Sequence, residues 1–469
     1  MLTAGVARAN ITPPLTVPHA GWGAQTHVYP EGIHYDLWAT VLCLAQDGEL
    51  VCLADLDLCY VTMPQAELLR ERIAAALGIA ASRVRISTSH THAGPFIHSN
   101  WYKDDDATVT YINEMVEAIV GCAAEAAREL VPVRVAAGFG ECGIGKRRIQ
   151  KLDDGRLITG YDPNGATDPI VGTVKLETTD GELLASLLYF SCHPTTLGPD
   201  NKLVSPDYPG VARRVVEQLT GGRCLFLQGS TGDIGPGPEG FRSDYAAVER
   251  MGTILGSEAA KTLLQLEAVP SAWQFERVVE SGASLGLWTN AADVSDSSPA
   301  PLLVASRMIE LPIKQLVPTE EAEQLYLACQ SRMQELIEQG GSADDIREAT
   351  YKVKRSHKIW QQSLRYYGQA SASIEAHFIA FSDIVLAGVP VEPFSSTGKG
   401  IREASPFACT LFGGYTNGWL GYLPPAEQYA EGGYEIETSP FAEGAAELLA
   451  GQVTAILREL YEQSSSTRT

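Results

Sequence analysis

Six stretches of the chain set residues capable of metal or acid–base chemistry beside glycine or proline. In SHTHAGP, His90 and His92 stand two apart directly after the apolar run RVRIS, so a continuing strand points both imidazoles the same way. Histidine is the commonest metal ligand, although an HxH pair also occurs as a plain structural or surface feature. His98 follows in the same loop. In FSCHPTTLG, His193 ends a run of apolar residues and Pro194 stops the strand behind it. In LAGVPVEPFSSTGKG, Glu392 lies between Val391 and Pro393. A carboxylate among apolar neighbours is costly to bury unless it is paired or bound to a cation, which favours a ligand role; a helix N-terminal glutamate facing the dipole is the alternative.

Three further stretches could surround such a group. The segment Gly413–Glu435 carries four tyrosines and a tryptophan among six glycines, too many glycines for a packed element. It reads as an ordered loop whose aromatic rings either line a site or pack beneath the loop, with Tyr422 and Tyr434 as the hydroxyls placed to act. LQGSTGDIGPGPEG, Leu227 to Gly240, has five glycines, so its backbone could approach a ligand closely and its N–H groups could bind an anion. It lacks the lysine of a phosphate-binding P-loop. In GIGKRRI, Arg147 or Arg148 could hold a substrate oxygen, or the pair could be a surface charge run.

These stretches need elements to hold them, and the surrounding pattern is α/β. Strands are expected at Ala39–Ala45, Leu50–Leu56, Val84–Ser87, Val133–Gly138, Ile170–Leu176, Leu183–Phe190 and Cys224–Leu227, with helices over Pro64–Leu77 and Val109–Leu130, after Asp207 and near Tyr245. Runs such as LLASLLYF are apolar almost throughout, which suits strands covered on both faces. The fold expected is a large mixed central sheet flanked by helices on both sides. A Ser/Asp/Ala/Pro stretch, Thr289–Pro301, reads as a loop or linker. Beyond a strand at Leu302–Leu311, the segments Thr319–Gln339 and Ser342–Tyr367 joined by Gly340–Gly341 form an αα-hairpin, inserted over residues 318–367. It reads as a solvated hairpin packed on the main domain, with a lid or a dimerisation arm as the alternative. Strands resume at Ile374–Phe381 and Ile384–Gly388, and a helix near Phe441–Tyr461 precedes a polar tail. No internal repeat is evident, and residues 1–469 are read as one catalytic domain.

Composition narrows the partners. The chain has 35 Lys+Arg against 57 Asp+Glu, a formal charge of −22, which opposes attraction to nucleic acid and to anionic lipid. No apolar stretch approaches the ~20 residues that span a bilayer. Met1 to Pro14 has neither a basic start nor an apolar run with a cleavage site, so a cytoplasmic protein is expected. The nine cysteines are scattered, mostly within apolar runs, and read as reduced core thiols. The expected partner is a small-molecule substrate; self-association into a homo-oligomer stays open.

The order HxH, strand ending in HP, QGxxGD, VxxEP and a Tyr-rich loop with GYxxP resembles the neutral/alkaline ceramidase family, from AGVARANITPP to about Glu437. The resemblance implies zinc held by His90, His193, Glu392 and Tyr422, an N/O donor set suited to that ion. It further implies that His92 transfers or orients a proton and that Arg147 and Tyr434 contact substrate oxygens. One departure stands out: the family's nucleophilic serine, two residues after the Asp of QGxxGD, is Gly235 here, with Ser230 and Thr231 on the other side of Asp233. The length also leaves no room for the family's C-terminal Ig-like domain. The activity expected is therefore that of a zinc-dependent hydrolase using metal-bound water on an amide or ester bond of a small acylated substrate, since zinc lowers the pKa of water and polarises a carbonyl. The negative charge counts against a bilayer-embedded ceramide. Two alternatives remain: metal-dependent chemistry on a carbohydrate, with Trp22, Trp38, Trp101, Tyr415, Trp419 and Tyr422 as stacking faces, and a non-catalytic binding protein.

Overall fold

The structure is a computed structural model that describes residues 1–20, 22–97, 106–268, 271–292 and 300–466. His98, Trp101 and residues 293–299 of the expected linker lie outside the described residues. Its order is a four-stranded unit made three times. The first unit has β1 (Thr3–Asn10), β2 (Trp38–Gln46), β3 (Glu49–Leu56), α1 (Met63–Leu77), β4 (Val84–Thr88) and α2 (Asp106–Arg128). The second has β5 (Val131–Glu141), β6 (Ile170–Thr178), β7 (Leu183–Phe190), α3 (Asp207–Thr220), β8 (Arg223–Gln228) and α4 (Tyr245–Gln265). The third has β9 (Leu303–Pro312), the hairpin α5 (Thr319–Glu338) and α6 (Ala343–Tyr366), then β10 (Ser371–Phe381), β11 (Ile384–Gly388), α7 (Ser395–Ala404) and β12 (Cys409–Gly413). Two short helices, α8 (Ala426–Tyr429) and α9 (Tyr434–Thr438), precede the closing helix α10 (Ala445–Ser466). In every unit the first three strands pair antiparallel and the fourth, after its helix, pairs parallel to the third.

The first two units join into one eight-stranded mixed sheet, but through two residue pairs alone, Thr3 with Pro132 and Ala4 with Val131. The third unit is a separate four-stranded sheet. Alternate residues of each strand serve different partners, as the period of two demands. Leu42, Leu53, Leu187, Leu225, Ile379, Leu386 and Leu411 meet in a shared core between the sheets. Their neighbours in sequence face outward to each unit's own helices: Val41 and Ala54 pack with Ile73 and Ile119, Leu188 and Phe226 with Val216 and Leu255, and Val385 and Ala387 with Ile401 and Leu449. Helices thus flank the eight-stranded sheet on its outer face, and the inner face meets the third sheet, which corrects the expectation of helices on both sides. A strand that is apolar throughout requires two covered faces and does not say what covers them.

The recurrence corrects the reading that no internal repeat exists. It is a repeat of topology: the connection between first and second strands runs over 11–37, 142–169 and 313–370 in the three units, so no fixed period survives in sequence. Several strands were not anticipated, β12 (Cys409–Gly413) among them. The small residues of TAGVARAN gave little sign of β1, and a strand pair at Ser271–Glu280 and Ser284–Ala292 runs into the expected linker. Its aromatic side chains Trp273, Phe275 and Trp288 are exposed, so no contrast of inside and outside marked it as structure. Asp55 and Asp57 at the end of β3 hold Arg213 of α3 at 3.0 and 2.5 Å, all buried, and so tie the first unit to the second.

Candidate metal centre

The loops that follow the parallel strand pairs of the three units come together. This is where open α/β sheets place ligands, beyond the carboxyl ends of strands. His90 lies two residues past β4 with φ +67°, a left-handed conformation that a non-glycine residue adopts at a cost. Its backbone N donates to the Leu58 carbonyl at 2.9 Å and its Nδ1 donates to the Cys59 carbonyl at 2.7 Å, which leaves Nε2 as the ring acceptor. Tyr415 stacks on the ring with centroids 4.0 Å apart. His193, three residues past β7, is built the same way: Nδ1 faces the Thr231 and Ile234 carbonyls at 2.7 and 3.1 Å, and Nε2 has no hydrogen-bond partner. The glycine-rich loop after β8 therefore orients a histidine. Gly232 is required in it, since a Cβ there would come 2.9 Å from the Glu392 carbonyl and 2.7 Å from Phe394.

Glu392 comes from the third unit and pairs in parallel with Tyr422 of the loop after β12. Its Oε1 accepts from Trp419 Nε1 at 2.6 Å; its Oε2 lies 3.3 Å from His193 Nε2 and has no further hydrogen bond. The ligating atoms of His90, His193 and Glu392 all lie within 4.8 Å of one another, and all three residues are buried. Burial lowers the imidazole pKa of His90 to about 3 and of His193 to about 4, so both rings are neutral at pH 7 with a lone pair available. Burial alone would raise Glu392, but the close His193 contact, the two imidazoles and the Arg148 guanidinium hold its carboxyl well below the ordinary range. Two buried acceptor atoms without donors, beside a third, are the signature of a cation site. Two nitrogens and a carboxylate oxygen form a donor set that could hold a divalent cation, and the ring of Tyr422 lies 6.5 Å from that of His193.

The remaining residues fall into two groups. His92 is half-buried, its Nε2 is 3.2 Å from His90 Nε2, and its ring packs against Trp22 at 4.9 Å. Tyr434 is 41% exposed at the start of α9, with its ring 5.8 Å from that of Tyr422. Arg147 is not brought into the cluster: its Nη2 donates to Gln428 at 2.8 Å, and it lines a separate cleft of about 760 Å³ with Gln150, Tyr161 and Asp162. Its neighbour Arg148 enters instead, donating to Tyr422 Oη at 2.9 Å and to Glu435 at 2.9 Å. Lys146–Arg147 pairs with Ile234–Gly235 as a short strand, so successive side chains point oppositely and one arginine at most can face the cluster. Gly235 itself lies beside Arg148, where a Cβ would make ordinary van der Waals contact with that side chain at 3.6 Å. Trp419, read from sequence as a stacking face, is an orienting partner of Glu392.

A buried cluster of two histidines and a carboxylate at the convergence of strand ends is a candidate metal site in a mixed α/β protein. The comparison with known proteins is more specific. The chain belongs to the neutral/alkaline non-lysosomal ceramidase family, whose N-terminal model matches residues 2–240. It is 22% identical to neutral ceramidase of Pseudomonas aeruginosa over 477 aligned positions, covering 91% of this chain and 68% of that one. Neutral ceramidase of Oryza sativa subsp. japonica is 24% identical over 224 positions, 45% of this chain and 28% of the relative. A solved ceramidase complexed with C2 superposes with a TM-score of 0.67 at 17% identity, covering 98% of this chain and 75% of that one. The crystal structure of neutral ceramidase from Pseudomonas aeruginosa gives the same score at 18% identity over the same shares. Among the described residues, no helix is long and apolar enough to cross a membrane.

Proposed function

We propose that this chain is a zinc-dependent hydrolase of amide or ester bonds in small acylated substrates, with His90, His193, Glu392 and Tyr422 as the ligands. The observation that carries the reading is the pair of buried acceptors without donors, His193 Nε2 and Glu392 Oε2, facing the His90 imidazole. Zinc bound there would polarise a carbonyl and lower the pKa of water. The protein's own groups do the rest. Carbonyls of Cys59, Thr231 and Ile234 fix each histidine tautomer so that Nε2 faces the ion. Trp419 holds one oxygen of Glu392 and leaves the other for coordination. Arg148 donates to the Tyr422 oxygen and thereby favours its phenolate, against the burial that raises its pKa.

His92 is the proton carrier in this reading, because its Nε2 borders the cluster and its half-exposed ring can exchange with solvent. Tyr434 stands at the open side, its hydroxyl available to a developing oxyanion. Arg147 would contribute a substrate contact from the adjoining cleft after leaving Gln428. No side chain at Gly235 can attack, so water is the nucleophile. The test is hydrolysis of a panel of acylated amines, acyl esters and acylated sugars by metal-free and zinc-reconstituted protein. Activity that chelation abolishes and zinc restores supports the reading; full turnover by metal-free protein contradicts it.

A further inference from the structure

The connection between first and second strands differs in length among the three units, yet each brings a side chain to the same centre. Residues 11–37 bring Trp22 against His92, and residues 142–169 bring Arg148 against Tyr422. The third connection, 313–370, contains the helical hairpin, and its α6 lies across the opening. Lys354 Nζ donates to the Trp22 carbonyl at 2.9 Å, Arg355 pairs with Glu437, and Gln362 donates to the Thr438 carbonyl. These contacts fix a stripe of α6 nine residues long, Lys354 to Gln362, about 12 Å end to end at the rise of an α-helix. Lys358 sits in the middle of that stripe. Its Nζ is 5.4 Å from the ring centre of Trp419, 5.8 Å from Tyr422 and 5.4 Å from Tyr434.

Those are the three rings of the candidate centre: one holds Glu392, one is a ligand, one faces the opening. Among the described residues, Lys358 has no carboxylate partner and no hydrogen bond, whereas its neighbours on the stripe are satisfied. In a chain with 57 acidic side chains against 35 basic ones, a half-buried ammonium facing aromatic rings without a carboxylate is an unusual placement. Ring faces attract the ammonium but accept none of its N–H bonds, which stay available to a ligand.

We propose that Lys358 determines substrate specificity, and that the substrate carries a monoanionic group, a carboxylate, which enters under α6 and pairs with this ammonium while its acyl bond faces the His90–His193–Glu392 centre. The hairpin is then part of the substrate site. The inference rests on the hydrolase reading and names its substrate class, an acylated amine bearing a carboxylate.

The test compares N-octanoylglycine with its neutral N-methylamide on the zinc-reconstituted protein, by initial rates and by calorimetric binding. The wild type is expected to favour the anion by about 10-fold in kcat/KM or in Kd, the order of one half-buried ion pair. Lys358→Met keeps the stem and removes the charge, so the ratio between the two compounds is expected to fall to near one, and Lys358→Arg is expected to restore it. A lysine acting only on stability would leave the ratio unchanged in Lys358→Met, and that result overturns the proposal. So does an equal preference in the wild type, or failure of both compounds to bind. Preferential binding of the anion with no turnover upholds the role of Lys358 and contradicts the hydrolase reading, which separates the two.

Discussion

The floor of the site and its roof are held in different ways. In the floor, His90, His193 and Glu392 are buried, and each follows a strand whose ladder fixes it. Their ring nitrogens and oxygens are oriented by backbone carbonyls and by Trp419. The roof, α6, reaches the site through a lysine on the Trp22 loop and an arginine and a glutamine on the short helix α9, with much of the helix exposed. A floor of this kind keeps ligand atoms at fixed separations; a roof of this kind can be exchanged without disturbing them. On the proposed reading, chemistry and substrate choice should be separable by mutation.

The largest effect expected is on the floor. His193→Ala removes a proposed ligand, so zinc affinity and hydrolysis should each fall by more than about 100-fold, measured by metal titration and by initial rates. Activity near that of wild type in this variant would break the contrast at its strong end. Trp419→Phe keeps the aromatic face and deletes one donor to Glu392; a loss of about 10- to 100-fold in zinc affinity is expected. Equal affinity would make Trp419 a packing residue.

His377 separates burial from metal binding. It is as buried as the floor histidines, with Nε2 donating to the Ser82 carbonyl at 2.9 Å, but it stands on β10 and outside the cluster. Burial, aided by Arg85, lowers its pKa to about 4, below the ~6.5 of an unfolded histidine. Between those values the unfolded chain binds more protons, so this contribution to stability is complete above pH 6.5 and is lost as pH falls through about 4. His377→Gln should flatten the fall of the urea midpoint between pH 6.5 and 4 and leave zinc content as in the wild type. A midpoint with the same slope in both proteins would refute the assignment. The smallest effect is on the roof: Arg355 and Glu437 are both about half exposed, so Arg355→Ala should cost under about 1 kcal/mol in urea unfolding. A cost several times larger would mean that the roof is as fixed as the floor.

The same contrast explains what could be read from sequence. The strand segments Leu183–Phe190 and Ile384–Gly388 coincide with β7 and β11, because a run of apolar residues bounded by turn residues has few other readings. His90, His193 and Glu392 stand at strand ends beside proline or glycine, so their positions were marked locally, and the structure brings all three together. Arg148 was not distinguishable from Arg147, since which side of a two-residue strand faces inward depends on its pairing with Ile234–Gly235. Lys358 carried no mark at all. A lysine on an amphipathic helix is ordinarily solvated, and its rings lie some sixty residues or more further along the chain. The threefold recurrence was hidden for a related reason, because strand pairing conserves topology while the connections vary in length.

The central claim is that the floor binds one zinc ion. Metal analysis of protein purified without added chelator, beside Glu392→Gln prepared identically, addresses it most directly. The account predicts about one zinc per wild-type chain and a substoichiometric content in the variant, with the urea midpoint of the wild type raised by zinc. Wild-type protein that takes up no divalent ion on titration, or a Glu392→Gln variant that holds zinc as tightly as the wild type, would contradict it.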